Sequence, residues 1–143
     1  MSPGVWALLI AVPIALAIGL LWRARQGAVR TSGTEVTVAQ FPEGLRQRLP
    51  ADGDARVTLL QLSTTFCAPC RHTRIVLADY AQRTEGVQHV EVDLTDHPDW
   101  STPLRVHTTP TTLVLDSAGT ELFRVGGVPK PQALTEALQP YLS

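Results

Sequence analysis

The only two cysteines of this 143-residue chain stand three positions apart, at Cys67 and Cys70. The apolar run before them, Val57 to Leu62, is typical of a buried strand, and the stretch from Arg71 to Arg83 has a helical pattern. Pro69 suits the first turn of a helix, because its missing N–H group costs little there. A C-x-x-C pair between a strand and a helix therefore favours an α/β fold with both sulfurs at the start of a helix.

This placement favours a reactive cysteine. The thiolate is the nucleophilic form of the side chain, and the unpaired N–H groups at a helix N-terminus stabilise its negative charge. We expect Cys67 to be the exposed, attacking sulfur, with a pKa below that of a free thiol. Cys70 lies about one helical turn further on, so it can displace a partner that Cys67 has captured.

Two other interpretations of the cysteine pair are weaker. A structural disulfide across so small a loop stabilises a fold little. A zinc site usually needs four ligands, and the sequence has neither a second cysteine pair nor a His-x3-5-His spacing. We therefore predict thiol–disulfide redox chemistry, with no metal and no small-molecule cofactor.

The first 25 residues predict a membrane anchor. No charged side chain precedes Arg23, and Val5 to Trp22 is an almost wholly apolar run of 18 residues with a tryptophan near each end. A cleaved signal peptide is the alternative, but no basic residue precedes the run and no small-residue cleavage site follows it. We predict a single membrane-spanning helix within residues 1–25.

Flanking charge predicts the orientation of this anchor in the cell membrane. Arg23, Arg25 and Arg30 all follow the span, so the positive-inside rule favours a domain that faces the cytoplasm. An extracytoplasmic domain stays open as the alternative, because disulfides persist outside the cytoplasm. The formal net charge of −1 argues against a nucleic-acid partner.

The rest of the chain predicts one domain, over residues 35–143, which follows a linker over residues 26–34. Strands alternate with helices at first, and a hairpin and a last helix follow. This order indicates an α/β fold with a mixed central sheet flanked by helices. The predicted strands are 35–38, 57–62, 87–94, 111–115 and 122–125. The predicted helices are 42–49, one from Cys67 to near Glu85, and 131–142, and residues 98–106 are predicted as a short helix or an irregular crossover.

From about Val57 to Leu142, the chain resembles the thioredoxin superfamily, and its anchor is similar to that of membrane-anchored thioredoxin-like proteins of bacteria. Three motifs carry the resemblance. They are Phe66-Cys67-Ala68-Pro69-Cys70-Arg71, where the family usually has Trp-Cys-Gly-Pro-Cys-Lys; Thr108-Thr109-Pro110-Thr111, where the family has a cis-proline; and Arg124-Val125-Gly126, where the family has a glycine after its last strand.

The resemblance implies several roles beside the cysteines. Pro110 would be a cis-proline against the cysteine pair, and it would expose the backbone of Thr109 to pair with a substrate strand. Phe66 would keep an apolar rim beside the attacking sulfur. Ala68 and Pro69 form the dipeptide that tunes the reduction potential in the family.

One departure concerns proton transfer. Thioredoxins carry a buried aspartate in the strand before the motif, and Gln61 stands at that position here. An amide cannot act as a general acid or base. The carboxylate of Glu91 is a candidate substitute; alternatively, Gln61 is a hydrogen-bonded core amide and Glu91 a solvated strand residue.

These observations predict a membrane-tethered thiol–disulfide oxidoreductase. Its partners would be proteins with thiols or disulfides, and another dithiol protein would donate its electrons. The alternative is a binding module, either a redox-inactive adaptor or a copper-delivery protein that uses both thiolates. The copper-delivery members of the superfamily have a wider cysteine spacing and an added histidine, which this sequence lacks.

Overall fold

A five-stranded mixed sheet forms the centre of the domain. The computed structural model describes residues 2–25, 27–30, 36–50 and 54–143. The strands are β1 (Val29–Arg30), β2 (Val57–Ser63), β3 (Val87–Asp93), β4 (Thr111–Asp116) and β5 (Glu121–Gly126). They lie in the order β1-β5-β4-β2-β3, in which β2 and β3 pair in parallel and the other three neighbouring pairs are antiparallel.

Two apolar cores cover the two faces of this sheet, as the alternation of side chains along β2 requires. Leu60 and Leu62 pack into the core on the face that holds α2, and Val57 and Leu59 pack into the core beneath α3 and α4. The mixed sheet flanked by helices confirms the predicted fold class. The helices are α1 (Pro3–Arg25), α2 (Glu43–Arg46), α3 (Ala68–Arg83) and α4 (Pro131–Leu142).

Helix α1 stands apart from both cores. It has 23 residues, none of them buried, and is long and apolar enough to cross a membrane. A helix of this length and composition near an N-terminus is a candidate membrane span, and signal sequences share the same pattern.

The first strand of the sheet differs from the prediction. Among the described residues of the 35–38 segment, only Thr37 pairs with the sheet, in an isolated bridge to Thr120, and a short 3-10 helix follows at Val38–Gln40. Glu35 lies outside the described residues. The free edge of β5 is instead occupied at its other end by β1, which lies within the segment predicted as a linker. The β-branched residues predict a strand, and the described part of this segment makes one bridge, in which Val38 donates its N–H to Gly119 and Glu121 donates its N–H to Val36.

The other predicted elements agree closely with the structure. The predicted strands that begin at residues 57, 87 and 111 match β2, β3 and β4, and the last predicted helix has the bounds of α4. The predicted helix over 42–49 is shorter, with a regular part at α2. The C-terminal ends of β2 and β5 and the N-terminal end of β4 lie at the same end of the sheet, and the cysteine pair follows β2 at this end.

Candidate functional site

Cys67 and Cys70 lie at the start of α3, as the sequence predicts. Cys67 is the N-cap residue, and Pro69 lies in the first turn. The two cysteines form a disulfide with their Cα atoms 5.2 Å apart. The backbone N–H of Cys70 points at Sγ of Cys67, at an N–S distance of 3.2 Å. The sulfur of Cys67 thus occupies the position of a side chain that caps the helix.

The surroundings of the two sulfurs differ. Cys67 is partly exposed, whereas Cys70 is 2% exposed. A thiolate at Cys67 would face the N–H groups and the positive end of the dipole of α3, which stabilise an anion. The exposed sulfur can therefore meet a partner disulfide, and the buried one is reachable only from Cys67.

A second loop lies against the loop that carries the cysteines. The Thr109–Pro110 peptide bond is cis, as the resemblance implies. The hydroxyl groups of Thr64 and Thr109 are 3.2 Å apart, and the N–H of Gly127 donates to the carbonyl of Pro110 at 2.8 Å. These contacts place Thr109 beside the residues that lead into Cys67.

An open groove of about 460 Å³ runs between these two loops. Phe66, the residue before Cys67, is 99% exposed at one rim of the groove. An exposed aromatic ring beside an open groove is typical of a surface that binds another molecule. The other lining residues include Thr64, Leu94, Pro98, Val106 and Thr109.

A cluster of polar side chains braces the loop before Cys67. Thr65 donates its hydroxyl to the carboxylate of Asp93 at 3.2 Å, and its N–H to the hydroxyl of Thr95 at 2.9 Å. Thr95 also donates its N–H to Asp93 at 2.8 Å. The side chain of Thr95 first, then its backbone N–H, and to a smaller extent the Thr65 hydroxyl lower the pKa of the Asp93 carboxyl through hydrogen bonds. The end of β3 thereby fixes the start of the active-site loop.

Gln61 is a fully buried amide beneath the cysteines. Its Nε2 donates to the carbonyl of Cys70 at 2.8 Å, and its Oε1 lies 2.9 Å from Nε2 of His89. Because Oε1 can only accept, Nε2 of His89 carries the hydrogen. Burial lowers the pKa of His89, which favours its neutral form. Gln61 therefore links Cys70 to His89.

Glu91 is held by an ion pair. Both of its oxygens accept from Arg74, with a distance of 2.6 Å from Nη2 to Oε1, and Ser63 donates to the same Oε1 at 3.1 Å. The hydrogen bond from Arg74 is the largest cause of the lowered pKa of Glu91. The lowered pKa makes this carboxylate a weaker base, and both of its oxygens are already held by Arg74. This setting argues against Glu91 as a substitute for the aspartate, although its role in the exchange stays a prediction.

Sequence reasoning overlooked His89, Arg74 and the hydroxyl pair of Thr64 and Thr109. Gln61 and Glu91 are register partners on parallel strands, and His89 lies two residues before Glu91, so all three side chains share one face of the sheet. The alternation along β3 shows that His89 and Glu91 share a face, but only the register between β2 and β3 places Gln61 beside them.

Comparison with known proteins gives one consistent result. Residues 34–140 match the family model described as Thioredoxin. Among curated proteins, Thioredoxin H9 of Arabidopsis thaliana is 25% identical over 105 residues, which cover 73% of this chain and 74% of that protein.

Solved structures share the fold at low sequence identity. A mutant thioredoxin from Halobacterium salinarum is similar with a TM-score of 0.55 and 20% identity, over 63% of this chain and 78% of that one. Thioredoxin NaTrxh from Nicotiana alata has a TM-score of 0.54 and 24% identity, over 62% of this chain and 75% of that one. At this identity the likeness shows the fold alone.

Proposed function

This chain belongs to the thioredoxin family and is a thiol–disulfide oxidoreductase, and we propose that it is tethered to a membrane by α1 and exchanges disulfides with partner proteins. The observation that carries the exchange reaction is the position of Cys67. Its sulfur caps α3 and accepts the N–H of Cys70, so the fold favours the charged, nucleophilic form of this residue.

The exchange proceeds in two steps. The Cys67 thiolate attacks one sulfur of a partner disulfide, the partner S–S bond breaks, and the released partner sulfur leaves as a thiolate that takes up a proton. Cys70 then loses its proton and attacks Cys67. The mixed disulfide breaks, the second partner thiol leaves, and the Cys67–Cys70 disulfide remains. Two electrons pass to the partner, and a second dithiol protein returns them by the reverse sequence.

The groove beside Cys67 supports a protein as the substrate. Phe66 offers an exposed apolar surface at its rim, and Thr109, whose hydroxyl lies 3.2 Å from that of Thr64, also lines it. An extended partner segment that pairs with the backbone of Thr109 would present its disulfide to the exposed sulfur. Gln61 would hold the turn that carries Cys70 during resolution.

Trapping variants test the exchange. Replacing Cys70 by serine removes the second step, so Cys70→Ser is expected to accumulate partners bound to Cys67 through a disulfide that reductant releases. Cys67→Ser is the matched control and is expected to trap none, because the buried Cys70 does not meet partners directly. A redox-inactive adaptor or a copper-delivery module would give no covalent partners with either variant.

The arginines that follow the anchor support a domain on the cytoplasmic side of the membrane. A membrane-impermeant maleimide applied to intact, reduced cells tests this orientation. No labelling of Cys67 until the cells are permeabilised is the expected result, and labelling in intact cells would place the domain outside.

A further inference from the structure

The anchor joins the domain at the same end of the sheet as the cysteines. The N–H of Gly27 donates to the carbonyl of Gly126 at the end of β5, at 2.8 Å. The next residue, Gly127, donates to Pro110 in the cis-proline loop. Three strand spacings, about 14 Å in total, separate β1 from β2, which leads into Cys67.

The connection between anchor and domain is very short. Helix α1 ends at Arg25, and Gly27 is already bonded to the sheet, so the two Cα atoms are at most about 7.6 Å apart. Gly27 has a φ of 74°, and a Cβ atom there would overlap the carbonyl oxygen of Val128. The chain is thus fixed to the domain within two residues of the end of the apolar helix.

The opposite end of the sheet lies far from this attachment point. The seven residues of β2 span about 20 Å, and the turn at residues 116–119 lies at the opposite end of the sheet. The cysteines therefore lie closer to the attachment point than this turn does.

Charge favours an attachment point close to the membrane surface. Arg23 and Arg25 end α1, Arg30 is exposed at the end of β1, and Lys130, whose backbone N lies next to Gly27, is also exposed. Cations at this position are attracted to an anionic lipid surface. The connection is therefore drawn towards the lipid.

We propose that the cysteine pair works at the membrane surface, on disulfides or dithiols that proteins embedded in the same membrane carry close to the lipid headgroups. This inference rests on the proposed tether and exchange reaction, and it adds the class of partner. A soluble partner must enter the narrow space between domain and lipid, whereas a membrane-embedded partner presents its sulfur there by default. The short connection thus selects partners by the height of their cysteines above the bilayer.

Depth-dependent quenching tests the orientation. The full chain is placed in vesicles of phosphatidylcholine and phosphatidylglycerol that contain nitroxide-headgroup lipid. One variant carries a bimane label on Cys67 with Cys70→Ser, and the matched control carries it at the far turn, through Ser117→Cys with both native cysteines replaced by serine. Stronger quenching at Cys67 than at residue 117 is expected, and equal or weaker quenching at Cys67 would overturn the proposal.

A lengthened connection tests the partner class. Twelve Gly and Ser residues inserted after Arg25 extend the reach by about 20 Å. The substrates are two disulfide peptides linked to lipid, one by a short spacer and one by a long spacer. The native chain is expected to react several-fold faster with the short-spacer peptide, and the insertion is expected to remove this preference. A native chain without the preference refutes the inference alone if it still reduces insulin in detergent micelles, where no bilayer excludes a soluble substrate. Failure to reduce insulin in micelles refutes the proposed exchange itself.

Discussion

Replacing Gln61 by leucine tests the buried polar link beneath the cysteines. The amide makes two hydrogen bonds in a fully buried position, to the carbonyl of Cys70 and to the ring of His89. A typical buried hydrogen bond contributes about 1 kcal/mol, and a buried group left unpaired costs about 1–3 kcal/mol. Gln61→Leu removes one partner from each bond, so we expect the free energy of unfolding to fall by about 2–4 kcal/mol.

A matched control lies on the neighbouring strand. Thr112 is the cross-strand partner of Gln61, and its buried hydroxyl has no hydrogen-bond partner among the residues that the structure describes. Valine has nearly the same shape and removes only this hydroxyl. Because an unpaired buried hydroxyl is unfavourable, Thr112→Val is expected to leave the free energy of unfolding unchanged or to raise it by about 1 kcal/mol.

Urea denaturation of the oxidised full chain in detergent micelles, followed by circular dichroism, measures both changes at neutral pH. Equal denaturant slopes for all three proteins would show that the variants alter stability rather than the extent of unfolding. The reasoning is refuted if Gln61→Leu costs less than about 1 kcal/mol, or if Thr112→Val destabilises the domain as much as Gln61→Leu.

Three further predictions follow from single contacts. Because Arg74 lowers the pKa of Glu91 in the folded state, their ion pair stabilises the fold above the ordinary glutamate pKa, and this stabilisation is lost as the pH falls through the lowered pKa. Glu91→Gln should therefore lower the free energy of unfolding by about 1 kcal/mol at neutral pH and leave it unchanged in strong acid, as measured by urea denaturation at a series of pH values. Gly27→Ala should lower the thermal midpoint, because its φ of 74° and the nearby Val128 carbonyl exclude a Cβ, whereas Gly19→Ala, which faces open space in α1, should not. Phe66→Ala should leave the thermal midpoint unchanged but lower kcat/KM for protein disulfides, because the ring is almost wholly exposed and available only to partners; unchanged kcat/KM would remove Phe66 from the binding surface.

Much of the fold was predictable because strong local patterns coincide with real elements. The apolar run that becomes β2 and the pattern of α4 need no tertiary information to be recognised. β1 was not predictable, because two residues are too few to show a period and only the edge of β5 makes them a strand. Thr37 shows the reverse case, in which β-branched residues predict a strand but the described residues form a single bridge before a 3-10 helix begins.

The site likewise has residues that the sequence predicts and contacts that it does not. Cys67 and Cys70 were predictable because a motif fixes their spacing and the adjacent helix fixes their environment. The partners of Gln61 and Glu91 depend on strand register and on a helix residue 17 positions away, which a single sequence does not specify. The link from Cys70 through Gln61 to His89 therefore emerges only from the folded chain.

The most direct test of the central claim is the pKa of Cys67 in the reduced full chain. The ultraviolet absorbance of the thiolate, followed against pH in the Cys70→Ser variant, reports this one group. Because the sulfur caps α3 and faces its N–H groups, the pKa is expected to fall clearly below the free-thiol value of about 8.5. A pKa at or above about 8.5 would contradict the account, since the helix start would then give the attacking sulfur no advantage.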